Sequence, residues 1–105
     1  MIEISKQLNV KKELTLPNGD RLVMTVPITD ELYKDHSLAR RNLYLLSADG
    51  VCKWRVAPVA GFFGETSFVD VRLISPEAAR GNTFDGIDYE ISLKDGSVKQ
   101  GAWHK

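Results

Sequence analysis

Apolar and polar residues alternate with period two along most of this 105-residue chain, and the alternation turns back at corners rich in Asn, Asp and Gly. Residues 42–47 and 51–56 flank Asp49-Gly50, and residues 87–93 precede Asp95-Gly96, so each segment predicts a β-hairpin. Pro17-Asn18-Gly19-Asp20 predicts a third hairpin over residues 11–27, with Leu22, Met24 and Val26 on one face and Arg21, Val23 and Thr25 on the other. Ile2 and Ile4 predict a further strand. Val69, Val71 and Leu73 predict another, with Asp70 and Arg72 opposite them. In the first Asp-Gly hairpin the same logic puts Cys52, Trp54 and Val56 on one side; in the last hairpin it puts Ile87, Tyr89, Ile91 and Leu93 on one side.

Two stretches break the alternation. Residues 29–41 place Leu32 and His36 four apart behind Thr29 and Asp30, a helical turn or an ordered loop. Ser75-Pro76 followed by Gly81 has the capping serine, first-turn proline and terminal glycine of one helical turn. The expected architecture is all-β: an antiparallel meander of six or seven strands, forming a small barrel or a two-layer sandwich with one or two short helical turns, as a single domain over 1–105.

Composition adjusts this reading little. Apolar residues make up 43% and charged residues 27%, as in ordinary globular proteins. Fourteen Lys and Arg balance fourteen Asp and Glu, so no net field draws the chain to nucleic acid or to an anionic membrane. The single cysteine, Cys52, excludes an internal disulfide and leaves no zinc-type spacing. The opening residues lack the basic and apolar run of a secretory signal, and no segment has membrane-spanning length. A cytoplasmic location is expected, and no cofactor.

The stretch LYLLSADGVCKWRV resembles the blade signature of quinoprotein-type β-propellers, matching it at Gly50 and Trp54; Ser47 stands where such blades carry an aspartate, and Gln100 where a second copy needs its tryptophan. Propeller closure takes about four blades of roughly 40 residues, more than this chain supplies. Over residues 42–98 the layout is more similar to small, uncharacterised bacterial single-domain β proteins, through Asn42-Leu43-Tyr44, Gly50 to Trp54 and Gly86-Ile87-Asp88-Tyr89-Glu90-Ile91. That resemblance implies an all-β fold and brings no activity or site.

Candidate chemistry is sparse. His36 beside Asp35 is a potential general base, though sequence neighbours seldom face each other. His104 is penultimate, where ends fray. Cys52 reads as a small buried hydrophobe. Asp70, Asp85, Asp88 and Glu90 form an acidic group with Arg72 near by, better explained by cross-strand ion pairs than by a hard cation. Arg40-Arg41 beside Tyr44 offer a basic, stacking surface. Phe62 and Phe63, flanked by Gly61 and Gly64, suit a loop that docks into a partner. The expectation is therefore a non-catalytic protein-interaction module contacting a protein partner through Phe62, Phe63, Arg40 and Arg41, or a second copy through an edge strand. The alternatives are a ligand-binding barrel mouth lined by Tyr44, Trp54 and Tyr89, and a small hydrolase or metal-dependent enzyme built on His36 and the carboxylates.

Overall fold

The computed structural model describes residues 8–27, 40–61, 64–84 and 86–100. Every regular element among them is a strand. β1 (Leu8–Thr15), β2 (Arg21–Pro27), β3 (Leu43–Leu46) and β4 (Cys52–Arg55) form one antiparallel sheet in chain order. β5 (Val59–Gly61) and β6 (Gly64–Thr66) pair as a small ribbon, and β7 (Phe68–Ser75), β8 (Ala78–Thr83), β9 (Asp88–Ser92) and β10 (Val98–Gln100) form a second four-stranded meander. The two sheets are not closed into a barrel, and the strands outnumber the six or seven expected. No helix among the described residues is long and apolar enough to cross a membrane.

Three corners share one construction. Leu16, Ser47 and Thr83 each donate a backbone N–H to the carbonyl four residues on, at 2.8, 2.8 and 2.9 Å, and each accepts from the glycine three residues on. Gly19, Gly50 and Gly86 take φ of +92°, +91° and +84°, so the corner is a three-residue loop with one left-handed glycine at its end, which matches the twist of the flanking strands.

The sheets contribute opposite walls to one apolar cluster. Leu22, Met24, Leu43 and Leu45 come from the first sheet; Phe68, Val71, Ala79 and Ile91 come from the second. A smaller cluster of Leu8, Tyr44 and Cys52, with Leu46 against it, lies on the other face of the first sheet. Val23 and Thr25 are fully buried as well, so β2 is covered on both faces rather than half-solvated.

Asn42 joins the two layers. Its side-chain Nδ2 donates to the carbonyls of Thr25 (3.0 Å) and Phe68 (2.8 Å), and its Oδ1 accepts the Phe68 N–H at 2.8 Å. One buried carboxamide thus pairs with Phe68 as a neighbouring strand would. It satisfies backbone groups that an unclosed sheet leaves open at the start of β7.

Three local expectations are corrected. Residues 75–81 form no helical turn: β7 runs to Ser75, Pro76-Glu77 is a two-residue corner, and β8 starts at Ala78. Proline fixes the same φ at the first position of a β-turn as at the start of a helix, and pairing with β7 decides between the two. The alternation of β7 is reset by an irregularity between Phe68 and Asp70, which turns Val69 outward and Phe68 into the core. A second one lies between β3 and β4, where Leu45 faces Trp54 but Leu46 faces Cys52. The extra residue, Lys53, puts Cys52 in the small cluster and Trp54 against the large one, not on one side together. The expected Ile2/Ile4 strand and most of the 29–41 segment lie outside the described residues.

Candidate functional site

Trp54 is where the two sheets meet at one end of the core. Its indole N–H donates to the Leu93 carbonyl at 3.0 Å, and its ring lies against Gly96 so closely that a Cβ there would stand 2.6 Å from Cε3. Gly96 has φ +77° and accepts a backbone bond from Ala57 at 3.0 Å. The last hairpin is therefore clasped onto β4 by a tryptophan and a glycine that has no side chain to interfere.

Beside this clasp a cleft of about 550 Å³ opens between the sheets. The first sheet lines it with Leu16, Asn18, Asp20, Leu45, Lys53 and Trp54, and the second with Pro76, Glu77, Ser92, Leu93 and Lys94. The bulge that separates Trp54 from Cys52 is also what places Lys53 here. Its Nζ reaches Asp20 Oδ2 at 2.8 Å, and Asn18 Nδ2 donates to the same oxygen at 3.2 Å. Asn18 in turn accepts the Asp20 N–H at 3.0 Å, so the turn after β1 presents a fixed carboxylate with two donors on it. Asp20 is 6% exposed, whereas the Lys53 side chain is 47% exposed, which leaves the ammonium solvated while it neutralises the buried acid.

The three aromatics expected to line one mouth stand apart. Trp54 lines the cleft, Tyr89 is in the large cluster with its ring edge-on to Phe68 at 6.3 Å, and Tyr44 is in the small cluster on the far face of the first sheet. Arg40 and Arg41 adjoin Tyr44 in sequence, but Arg55 is the residue over its ring, at 5.4 Å. Arg55 also donates to the Arg40 and Arg41 carbonyls at 2.8 and 2.9 Å, while Arg41, left-handed at φ 53°, donates from Nε to the Val56 carbonyl at 2.8 Å. The guanidinium groups here hold an irregular crossing of backbone together. Phe62, Phe63, His36, Asp35, Asp85 and His104 lie outside the described residues.

The acidic group is dispersed into pairs. Asp70 bonds Lys12 at 2.7 Å, Asp88 accepts from Asn82, and Glu90 faces Lys99 at 3.9 Å. The Lys12 hydrogen bond, helped by the charge of Arg72, holds the Asp70 carboxyl below its ordinary range. Among the described residues no three His, Cys, Asp or Glu side chains are placed to share a metal ion.

Burial raises the pKa of both the Cys52 thiol and the Tyr44 phenol. An acid whose folded pKa is raised keeps its proton when the unfolded chain has lost it. The stability this contributes is complete below the unfolded pKa values and is lost as pH climbs through the folded ones. The expected result is a melting temperature that falls above roughly pH 8.5, less steeply in Cys52→Ala and in Tyr44→Phe. Melting followed by circular dichroism across that range checks it; equal slopes in all three proteins would contradict it.

No protein-family model matches the chain, and no curated protein or solved structure matches it.

Proposed function

We propose that this chain is a non-catalytic binding domain whose ligand occupies the inter-sheet cleft. The observation that carries the reading is the position of Trp54, an aromatic that both fastens the sheets together and lines a concave, mixed-polarity space of a size usual for small-molecule sites. Three of its polar groups hold one another: Asp20 is neutralised by Lys53 and oriented by Asn18, an arrangement suited to recognition rather than proton transfer. The resemblance to uncharacterised bacterial β proteins is compatible with this and assigns no role. The test is a titration of the labelled protein with mixed small metabolites, following the Trp54 indole N–H and the Gly96 amide by NMR. Saturable shifts at both are expected, and signals unmoved by every mixture would remove the reading.

A protein-interaction role is the second reading, favoured by Phe84, which is 81% exposed beside Gly86 at the tip of the β8–β9 hairpin. Val69, displaced outward by its bulge, is 49% exposed, and the Phe84 N–H bonds the Ser67 carbonyl two residues before it. An aromatic at a hairpin tip with an aliphatic neighbour is the kind of anchor that dominates protein interfaces. Two of the four outer strands of the four-stranded sheets, by contrast, are blunted against strand addition: β1 carries an irregularity between Val10 and Lys12, and β7 carries two. If a second copy is the partner, Phe84→Ser should convert dimer to monomer in analytical ultracentrifugation with the far-ultraviolet spectrum unchanged. A wild-type chain that sediments as a monomer at high concentration would end the second-copy version.

A further inference from the structure

We infer that the ligand class of the cleft is a neutral, hydroxyl-rich molecule of one or two rings, a saccharide, an inference that rests on the binding reading above. Electrostatics narrows the field first. The charged groups lining the cleft are Asp20 and Glu77 against Lys53 and Lys94, which sum to zero. A phosphorylated or dicarboxylate ligand would enter a site with no surplus cation, and a cationic one a site with no surplus acid.

The aromatic narrows it further. The indole N–H of Trp54 is spent on the Leu93 carbonyl and one side of the ring is covered by Gly96, so the ring has only its remaining π surface and C–H edge left to offer. Such a surface attracts polarised C–H groups, as on the face of a pyranose ring. Leu16, Leu45 and Leu93 extend the apolar wall, while Asn18, Asp20, Lys53 and Ser92 set donors and acceptors beside it. A ligand that satisfies both must carry an apolar face and a periphery of groups that each donate and accept. Hydroxyls do both, and they need no net charge. The chain Asn18 to Asp20 to Lys53 is fixed before any ligand arrives, so little ordering cost falls on binding.

The experiment titrates the labelled 105-residue chain with maltose, cellobiose and lactose in parallel with a neutral zwitterionic dipeptide and inorganic phosphate, each at about 20 mM and about 500 mM sodium chloride. The expected result is that at least one disaccharide shifts the Trp54 indole N–H saturably, with a Kd that changes less than about twofold between the two salts, because no charge pair is formed on binding. Lys53→Met, which removes donors from the rim and leaves the Asp20 carboxylate on Asn18 alone, should weaken that disaccharide about tenfold while the remaining spectrum reports an intact fold. Salt-sensitive shifts from the dipeptide or phosphate, with all three disaccharides silent, would overturn the saccharide assignment and leave the cleft a binding site. Silence from all five probes would count against the saccharide and the cleft together. An unchanged Kd in Lys53→Met would overturn the assigned contacts.

Discussion

Asn42→Ala will lower the free energy of unfolding by about 3 kcal/mol, measured by urea denaturation, because three buried backbone groups lose their partner at once. The Phe68 N–H and the carbonyls of Phe68 and Thr25 all bond this one carboxamide, which is only 2% exposed, so bulk water does not reach them in its place in the native state. Asn42→Asp separates polarity from hydrogen-bond pattern. A carboxylate still accepts the Phe68 N–H, but its second oxygen meets two carbonyl oxygens and has no proton to donate. Its folded pKa is therefore raised, and the penalty relative to the natural chain is smallest below about pH 4 and grows as pH rises. A loss confined to Asn42→Ala, with Asn42→Asp as stable as the natural chain at every pH, would mean that Asn42 acts by filling space, not by matching donors to acceptors.

This joint shows what was legible in the sequence and what was not. Period-two patterning located β1, β2, β3, β4, β7, β9 and β10, because each has one face on a core and adjoins a glycine corner or carries clean alternation. β8 was missed because AARGNT has no alternating apolar residues, and Ser-Pro before it imitates a helix start. β5 and β6 are three residues each, too short for any period to register. The bulges were invisible for a related reason: one extra residue flips every later side chain, and nothing in the identity of Lys53 or Val69 marks it as the extra one. Of the cleft, only Trp54 was picked out. Asn18 and Asp20 look like turn residues and serve as such; their second role depends on Lys53, more than thirty positions away. Asn42 looked like the start of a strand, and only the approach of β7 reveals it as the tie between layers.

Gly81→Ala should cost about 2 kcal/mol or more in the same assay, an unusually large effect for one added methyl group. Gly81 lies mid-strand in β8, between Val71 on β7 and Tyr89 on β9, where glycine normally weakens a sheet. Its reason for being there is the Phe68 ring: a Cβ at residue 81 would sit 2.5 Å from Cδ1 and Cε1 of that ring and 3.1 Å from Ile91 Cδ1. The ring cannot retreat. It is 2% exposed, it is edge-on to Tyr89, and its backbone is gripped by Asn42. The aromatic covers the glycine backbone as a neighbouring side chain would, so ring and glycine are one packing unit. Phe68→Leu removes the obstruction while keeping the site apolar, and alone should cost about 1 kcal/mol. Combined with Gly81→Ala, the loss should be smaller than the sum of the two single losses by at least about 1 kcal/mol, since contacting residues couple. Additive losses would show that Gly81 is needed for its backbone and not for the space above it. Because Phe68 also carries the Asn42 contact, the triple combination with Asn42→Ala tests whether the joint between the sheets and the packing beneath it fail as one event: if they do, Asn42→Ala will cost less in the relieved Phe68→Leu, Gly81→Ala background than in the natural chain.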